Sequence, residues 1–329
     1  MLWGDKVIDI NQERLMLRVL DMYYNKELSQ EVIAKKFHIS RSTVSRLISK
    51  AKKQGYVSIH INYPVNNCIE LEEKFEGKFH LEEAIILNAT STEFSDMVVP
   101  RAAAEYLLRI IDDDMYISMS WGTTLRKTVD NIAALMPGVK RIFRGVKIIP
   151  LLGSPKMTLN IDAQLNYSNE LVERLGKILN SASYNLSAPM IVENKTVKGV
   201  LESEKQISDI LKMAKKADVA IVGIGSVDEK SSPLFSGLIT KEEQKKLLSL
   251  GIVGEIAFHY YNESGDIIST EFDDRCIGLK IGEILNIPLR VGIAYGEKKI
   301  KSIRAALKGK LINVIITDSI TAEKILKEG

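Results

Sequence analysis

The apolar positions of the first sixty residues recur at helical spacing three times. Leu15, Val19 and Met22 share one face of a helix expected over residues 11–24, with Leu20 and Tyr23 beside it. Val32, Ile33 and Phe37 form the inward face of a short second helix, which Ser29 is placed to cap. Ser40 can cap a third helix over 41–51 that turns Val44, Leu47, Ile48 and Ala51 inward and ends at Gly55. Residues 56–61 then alternate as a strand.

Downstream of a short linker at 64–67 and a charged helix at 68–79, the pattern changes. Short apolar runs at 84–87, 115–119, 146–151, 219–224, 289–294 and 313–317 read as strands. Helical stretches are expected at 98–111, 162–179, 202–216, 241–249, 274–285 and 298–307. The Ser-, Gly- and Lys-rich segment 228–237 reads as a mobile loop. Alternating strands and helices predict an α/β fold, with a Rossmann-like, mainly parallel sheet covered by helices. The predicted organisation is a small all-helical head, residues 1–63, and a large body, residues 64–329.

Composition narrows the class. Hydrophobic residues make up 45% and charged residues 26%, an ordinary globular balance. No apolar run approaches the roughly 18–20 residues needed to span a bilayer. The first residues show no basic stretch leading into an apolar one, so a cytoplasmic location without membrane partners is expected. Cys68 and Cys276 are too few for a disulfide framework, and the four histidines are scattered, so no metal and no cofactor are expected. The net charge of +3 is uneven, because residues 1–60 alone contribute +5. A basic head on a slightly acidic body suggests a nucleic-acid partner, although a solvated basic face would look the same.

The head's spacing is more specific than its charge. Ala34 is small where two helices would approach closely, and His38, four residues on, stands at a tight turn. Glycine is usual at such a turn, and histidine is among the few other residues that tolerate positive φ. Val44 follows in the core, with Phe37 and Ile39 flanking the turn. This is helix-turn-helix spacing, and its second helix presents Arg41, Ser42, Thr43, Ser45 and Arg46 outward near its N-terminus, the end that enters the major groove. Arginine can bond guanine edges through two donors, and Ser or Thr can contact bases or phosphates. Lys50, Lys52 and Lys53 suit phosphate contacts, and Gln30 completes the expected DNA-facing set. A purely structural three-helix bundle is the alternative.

In the body, ligand chemistry is sought at the carboxyl ends of strands. The strand at 115–119 runs into Ser120-Trp121-Gly122-Thr123-Thr124-Leu125 and then a helix. Free backbone N–H groups, the helix dipole and two hydroxyls would suit a phosphate there; ordinary capping by Thr123 is the plainer explanation. Gly153 and the Gly223-Ile224-Gly225-Ser226 turn also follow strands, but no full Gly-x-Gly-x-x-Gly fingerprint is present. Glu255 lies beside glycines and could accept sugar hydroxyls. Lys298, Lys299 and Lys301 sit at a predicted helix N-terminus, where cations oppose the dipole. A bound anion would account for them, and so would a solvated lysine-rich turn.

At this point the chain resembles the SorC/DeoR-type sugar-binding regulators across nearly its whole length. The resemblance lies in Tyr23-Tyr24, Leu28-Ser29-Gln30, Ile33-Ala34, Ile39-Ser40-Arg41, Val44-Ser45-Arg46-Leu47 and Gly55-Tyr56-Val57 in the head. In the body it lies in Ser120–Leu125, Asp218–Gly225, Gly251–Ile256 and the stretch from Lys299 to Asp318. The head looks most like that of members with a Tyr-Tyr pair, which include regulators of phosphorylated-autoinducer uptake. The resemblance implies a body related in fold to sugar-phosphate isomerases, a dimer or tetramer on operator DNA, and a phosphorylated sugar as effector. It implies repression of a carbohydrate operon, with ligand contacts at Ser120, Gly122, Thr123, Thr124, Gly153, Glu255 and Lys299. Tyr295 and Leu152-Gly153-Ser154 depart from the family's glycine-rich pattern, and Asp318 reads first as a helix cap. The alternative is a sugar-phosphate isomerase-like enzyme with an accessory head, yet no carboxylate pair or histidine is placed to demand a general base.

Overall fold

The computed structural model describes residues 10–57, 68–155, 166–228 and 231–327. The chain divides into two units, Met1–Val65 and Asn66–Gly329.

The first unit is helical among the described residues. Helix α1 (Ile10–Leu20) continues through a π-helical turn at Asp21–Asn25, followed by α2 (Gln30–Phe37) and α3 (Arg41–Lys53). Ser29 Oγ accepts the Val32 N–H at 3.4 Å and Ser40 Oγ accepts the Thr43 N–H at 3.1 Å, so both predicted caps form. His38 ends α2 in the left-handed conformation, φ 53°, and the Ile39 N–H then reaches the Ala34 carbonyl at 3.0 Å. Ile33, Ala34, Val44, Leu47, Ile48 and Ala51 pack with Met16, Val19, Leu20 and Met22. Val32, expected inward, is 49% exposed. At 3.6 residues per turn Ile33, Ala34 and Phe37 share one side of α2, and Val32 falls on the opposite one. Tyr56 and Val57 are not in a strand; the rest of that expected strand and the linker at 64–67 lie outside the described residues.

The second unit is built on seven parallel strands. Their spatial order is β1 (Glu83–Leu87), β10 (Val314–Asp318), β9 (Leu289–Ile293), β5 (Val219–Gly223), β2 (Tyr116–Met119), β3 (Lys147–Pro150) and β4 (Ala182–Ser183). The strands are apolar on both sides because helices cover both faces. In β5, Val219 and Ile221 join one core cluster while Ala220 and Val222 join the other. The first cluster is closed by α5 (Thr92–Ile110), α6 (Thr123–Leu135) and α7 (Ser168–Leu179). The second is closed by α4 (Ile69–Phe79), α8 (Lys195–Ser203), α9 (Lys205–Ala214), α10 (Ser232–Phe235), α11 (Lys241–Ser249), α12 (Ile281–Leu285), α13 (Ile300–Lys308) and α14 (Ser319–Lys327), together with a small antiparallel sheet.

Several elements differ from the sequence pattern. The helix expected at 202–216 breaks at Glu204, whose ψ of 128° separates α8 from α9. Only Ile281–Leu285 of the helix expected at 274–285 forms, because Cys276 and Gly278 bridge to Ile191 and Leu152 as extended chain. Helix α5 starts earlier than expected, where Ser91 Oγ accepts the Phe94 N–H at 3.2 Å. The segment read as a mobile loop contains the short helix α10, with residues 229–230 outside the description. The antiparallel sheet, β6 (Gly225–Ser226), β7 (Ile252–Ile256) and β8 (His259–Asn262), had no turn signal. Its hairpin tip uses Ala257 (φ 49°) and Phe258 (φ 68°) where Gly or Asn is usual. Burial of Phe258 against Tyr260 and Phe272 offsets that backbone cost.

Candidate functional site

Strands β2, β5 and β9 lie side by side at the centre of the sheet, and the segments leaving their carboxyl ends meet over it. The Ser120 N–H donates to the Ile221 carbonyl at 2.9 Å, which fixes the exit of β2 against β5. A cleft of about 100 Å³ opens there, lined by Ser120–Leu125, Gly223, Ile224, Gly225, Glu255 and Lys299. Six sequence-predicted residues, Ser120, Gly122, Thr123, Thr124, Glu255 and Lys299, thus converge from three separate stretches of chain.

Gly122 is the N-cap of α6, with φ 128°. Its N–H donates to the Asn166 carbonyl at 2.9 Å, and no side chain caps the helix. Thr123 is therefore the first helical residue and not the cap, which removes the plainer explanation for its hydroxyl. The first N–H groups of α6, without intrahelical partners, and the positive end of its dipole face the cleft.

Two opposite charges share this space. Glu255 is 6% exposed; its Oε2 accepts the Phe258 N–H at 2.9 Å, so the hairpin tip orients it. Burial pushes its carboxyl up, against the Phe258 N–H and the nearby Lys299 and His259. Lys299 is half-buried and lines the cleft wall. Burial pulls the ammonium below the ordinary lysine range, against the attraction of Glu255 and Asp228. An ammonium beside free helix N–H groups suits an anion, and a buried carboxylate suits a hydroxyl donor.

Gly153 does not line the cleft. Its N–H donates to the Ile277 carbonyl at 2.9 Å, and a Cβ there would lie 2.6 Å from the Ala188 carbonyl oxygen, so close backbone packing accounts for the glycine. Lys298 and Lys301 line a separate groove with Glu297, Ile300, Lys324 and Lys327. Asp318 caps α14, accepting the Thr321 N–H at 2.9 Å. Sequence reasoning missed the brace at Tyr295, whose hydroxyl donates to Asp96 at 2.6 Å while Lys127 pairs with the same carboxylate. Burial and that hydrogen bond push the Tyr295 phenol far up. Asp96 lies on α5, remote in sequence, so no local pattern announced it. Among the described residues no cluster could hold a metal ion, and no helix is long and apolar enough to cross a membrane.

In the first unit, Arg41, Ser42, Ser45, Arg46 and Lys50 are exposed on α3 opposite its buried face. Thr43 is half-buried and its hydroxyl shares a 2.8 Å hydrogen bond with Ser40, so it serves the cap first. Gln30 is half-exposed at the first position of α2.

A basic polar helix face on one unit and an anion-suited strand-end cleft on the other define a ligand-responsive DNA-binding protein. The family model described as "Putative sugar-binding domain" matches residues 63–327, and that of sigma-70 region 4 matches residues 15–54. The chain belongs to this family of sugar-binding, SorC/DeoR-type transcriptional regulators. It is 29% identical over 323 residues to the deoxyribonucleoside regulator of Bacillus subtilis (strain 168), covering 98% of this chain and 100% of that one. The full-length sorbitol operon regulator SorC from Klebsiella pneumoniae superposes with a TM-score of 0.73 at 27% identity, over 96% of this chain and 99% of that one. A DeoR family transcriptional regulator from Listeria monocytogenes gives a TM-score of 0.68 at 31% identity, over 78% of this chain and 98% of that one.

Proposed function

We propose that this regulator represses a carbohydrate uptake or catabolism operon and is controlled by a phosphorylated sugar. The observation behind this reading is the convergence of the α6 N-terminus, Thr123, Thr124, Lys299 and Glu255 on one small cleft. The phosphate would take the α6 N–H groups, the two threonine hydroxyls and the Lys299 ammonium. Glu255 would accept a sugar hydroxyl. Residues 1–63 would read operator DNA through Gln30, Arg41, Ser42, Thr43, Ser45, Arg46 and Lys50, and residues 64–329 would bind the effector and associate into a dimer or tetramer.

The ligand acts by binding one conformation or assembly better than another, which shifts the fraction able to grip DNA. Binding without turnover is the expected behaviour, in the cytoplasm, where both operator and metabolite are found. The regulators named among the relatives support these assignments. A thermal-shift screen of sugar phosphates, their unphosphorylated sugars and inorganic phosphate tests the reading, because ligand bound to the native state raises its melting point. Sugar phosphates should give the largest rise, inorganic phosphate a smaller one and the unphosphorylated sugars none. No shift with any phosphate, or consumption of a sugar phosphate in the same tubes, would overturn it.

A further inference from the structure

The loop that brings Lys299 to the cleft is tied to the C-terminal helix by a buried hydroxyl and, at the surface, by the Lys324–Glu297 ion pair. Gly296, with φ 99°, opens the 3-10 turn Glu297–Lys299. Its N–H donates to Thr321 Oγ1 at 2.9 Å. The Thr321 hydroxyl donates to Asp318 Oδ2 at 2.8 Å, and its N–H donates to Asp318 Oδ1 at 2.9 Å. Thr321 and Asp318 are each 1% exposed. A hydroxyl has a single proton, so with that proton on the carboxylate only its lone pairs face Gly296. The three groups are therefore satisfied in one arrangement, and a buried polar group left without its partner would be costly.

The same helix supports the other end of the body. Helix α14 packs against α4, the first helix of the second unit after the segment leading from the head. Helix α4 is itself fastened to the outer edge of β1, the end strand of the sheet. Glu72 Oε1 accepts the Ile86 N–H at 2.8 Å and Glu76 Oε1 accepts the Ala84 N–H at 2.9 Å. These two carboxylates, four residues apart on one face of α4, occupy edge donors that would otherwise be open. Ser319, at the start of α14, accepts the Ala89 N–H at 3.1 Å just beyond β1. Cys68, before α4, lies close enough to Glu72 and Glu323 of α14 for their charges, after burial, to push its thiol up. Pocket loop, α14, α4 and sheet edge thus form one hydrogen-bonded and packed series.

We propose that Thr321 is a positioning residue: its hydroxyl holds the Gly296–Lys299 loop over the cleft and, through α14, makes the seating of α4 depend on whether that loop is engaged. This rests on the cleft being the effector site. A ligand that draws on Lys299 pulls on Gly296, whose N–H is held by Thr321 on a helix touching α4; Lys324 of that helix also pairs with Glu297, while Ser302 of α13 donates to the Lys299 carbonyl at 3.1 Å. The coupling is local and mechanical, with one hydrogen bond at its centre.

Hydrogen exchange on the full chain tests this with Thr321→Val, which keeps the shape and removes the hydroxyl, and Thr321→Ser, which restores it. Without ligand, T321V should speed exchange at 296–299 about tenfold, the effect of losing one buried hydrogen bond. It should also speed exchange in α4, leave β5 unchanged, and be reversed in T321S. Inorganic phosphate, used as the probe, should slow exchange at 120–125 in all three proteins but reach α4 only in wild type and T321S. An α4 indifferent to T321V without ligand, or responding to phosphate equally in T321V, overturns the proposal. Phosphate that protects nothing at 120–125 would instead overturn the cleft assignment, and the ligand-free comparison would still decide the role of Thr321.

Discussion

The Oε1 oxygen of Glu255 lies where a side chain on residue 225 would begin: a Cβ built on Gly225 would meet it at 2.2 Å. The two residues are also cross-strand partners between β6 and β7. Glycine at 225 is thus the condition for a buried carboxylate at the cleft floor. Gly225→Ala should push the carboxylate off the Phe258 N–H and cost about 1–3 kcal/mol of stability. Thermal melts should show the loss, and calorimetry should show weakened sugar-phosphate binding. A variant with unaltered melting and affinity would mean the carboxylate is not held there.

Arg41 and Arg46 project from the face of α3 opposite Val44, Leu47 and Ile48. Arg41→Ala or Arg46→Ala should abolish selective operator binding and leave effector binding intact, since neither residue contributes to the core. Lys50→Ala should weaken binding to all DNA sequences alike and lower the salt dependence by about one counterion. Gel shifts and salt titrations separate the two behaviours. Unchanged gel shifts in both arginine variants would remove α3 as the reader of DNA.

The head was legible because its signals are local. Cap, small residue, turn and apolar spacing all fall within one short stretch, and only Val32 was placed on the wrong side. The parallel strands were legible for a related reason: burial on both faces makes them continuous apolar runs. The small antiparallel sheet was not, because its hairpin turns on Ala257 and Phe258, which carry no turn preference, and is held by distant aromatic packing. The cleft was half legible. Thr123, Thr124 and Glu255 stand in recognisable strand-end segments, and Lys299 betrayed itself as a cation at a helix start. Gly153 has the same local chemistry as a ligand loop, yet its carbonyl-packed environment is set by residues 188 and 189. The partners of Tyr295 and Thr321 come from α5 and α14, contacts that no sequence period encodes.

Glu255 should decide which phosphate compound is bound more than whether phosphate is bound. Its carboxylate is acceptor-only when ionised, so it favours a ligand hydroxyl and opposes a bare phosphate. Glu255→Gln should weaken sugar-phosphate binding about tenfold to a hundredfold, and should leave inorganic phosphate bound as well as before or better. Competition calorimetry with the two ligands gives the ratio. Equal losses for both would show that the residue shapes the cleft without reading the sugar.

Stability and anion affinity should respond to alkali with opposite signs, because Lys299 serves both. Burial holds its ammonium below the ordinary lysine range in the native protein. In the window between that lowered value and the ordinary one, the unfolded chain binds more protons than the native chain, so the stability of the empty protein should rise with pH. Glu255 acts in the acid-to-neutral range with the opposite slope: burial raises its native value, the native chain binds more protons there, and stability should fall as pH climbs. Phosphate needs the Lys299 charge, so affinity should be highest below the lysine window and fall through it. Lys299→Met should reduce phosphate affinity about tenfold or more at neutral pH and flatten the remaining alkaline dependence. Calorimetric titrations from neutral to alkaline pH, run beside thermal melts of the unliganded protein, measure both slopes. If wild-type affinity holds constant through that range while Lys299→Met binds phosphate equally well, the ammonium is a structural charge and the anion is held by the α6 N-terminus alone.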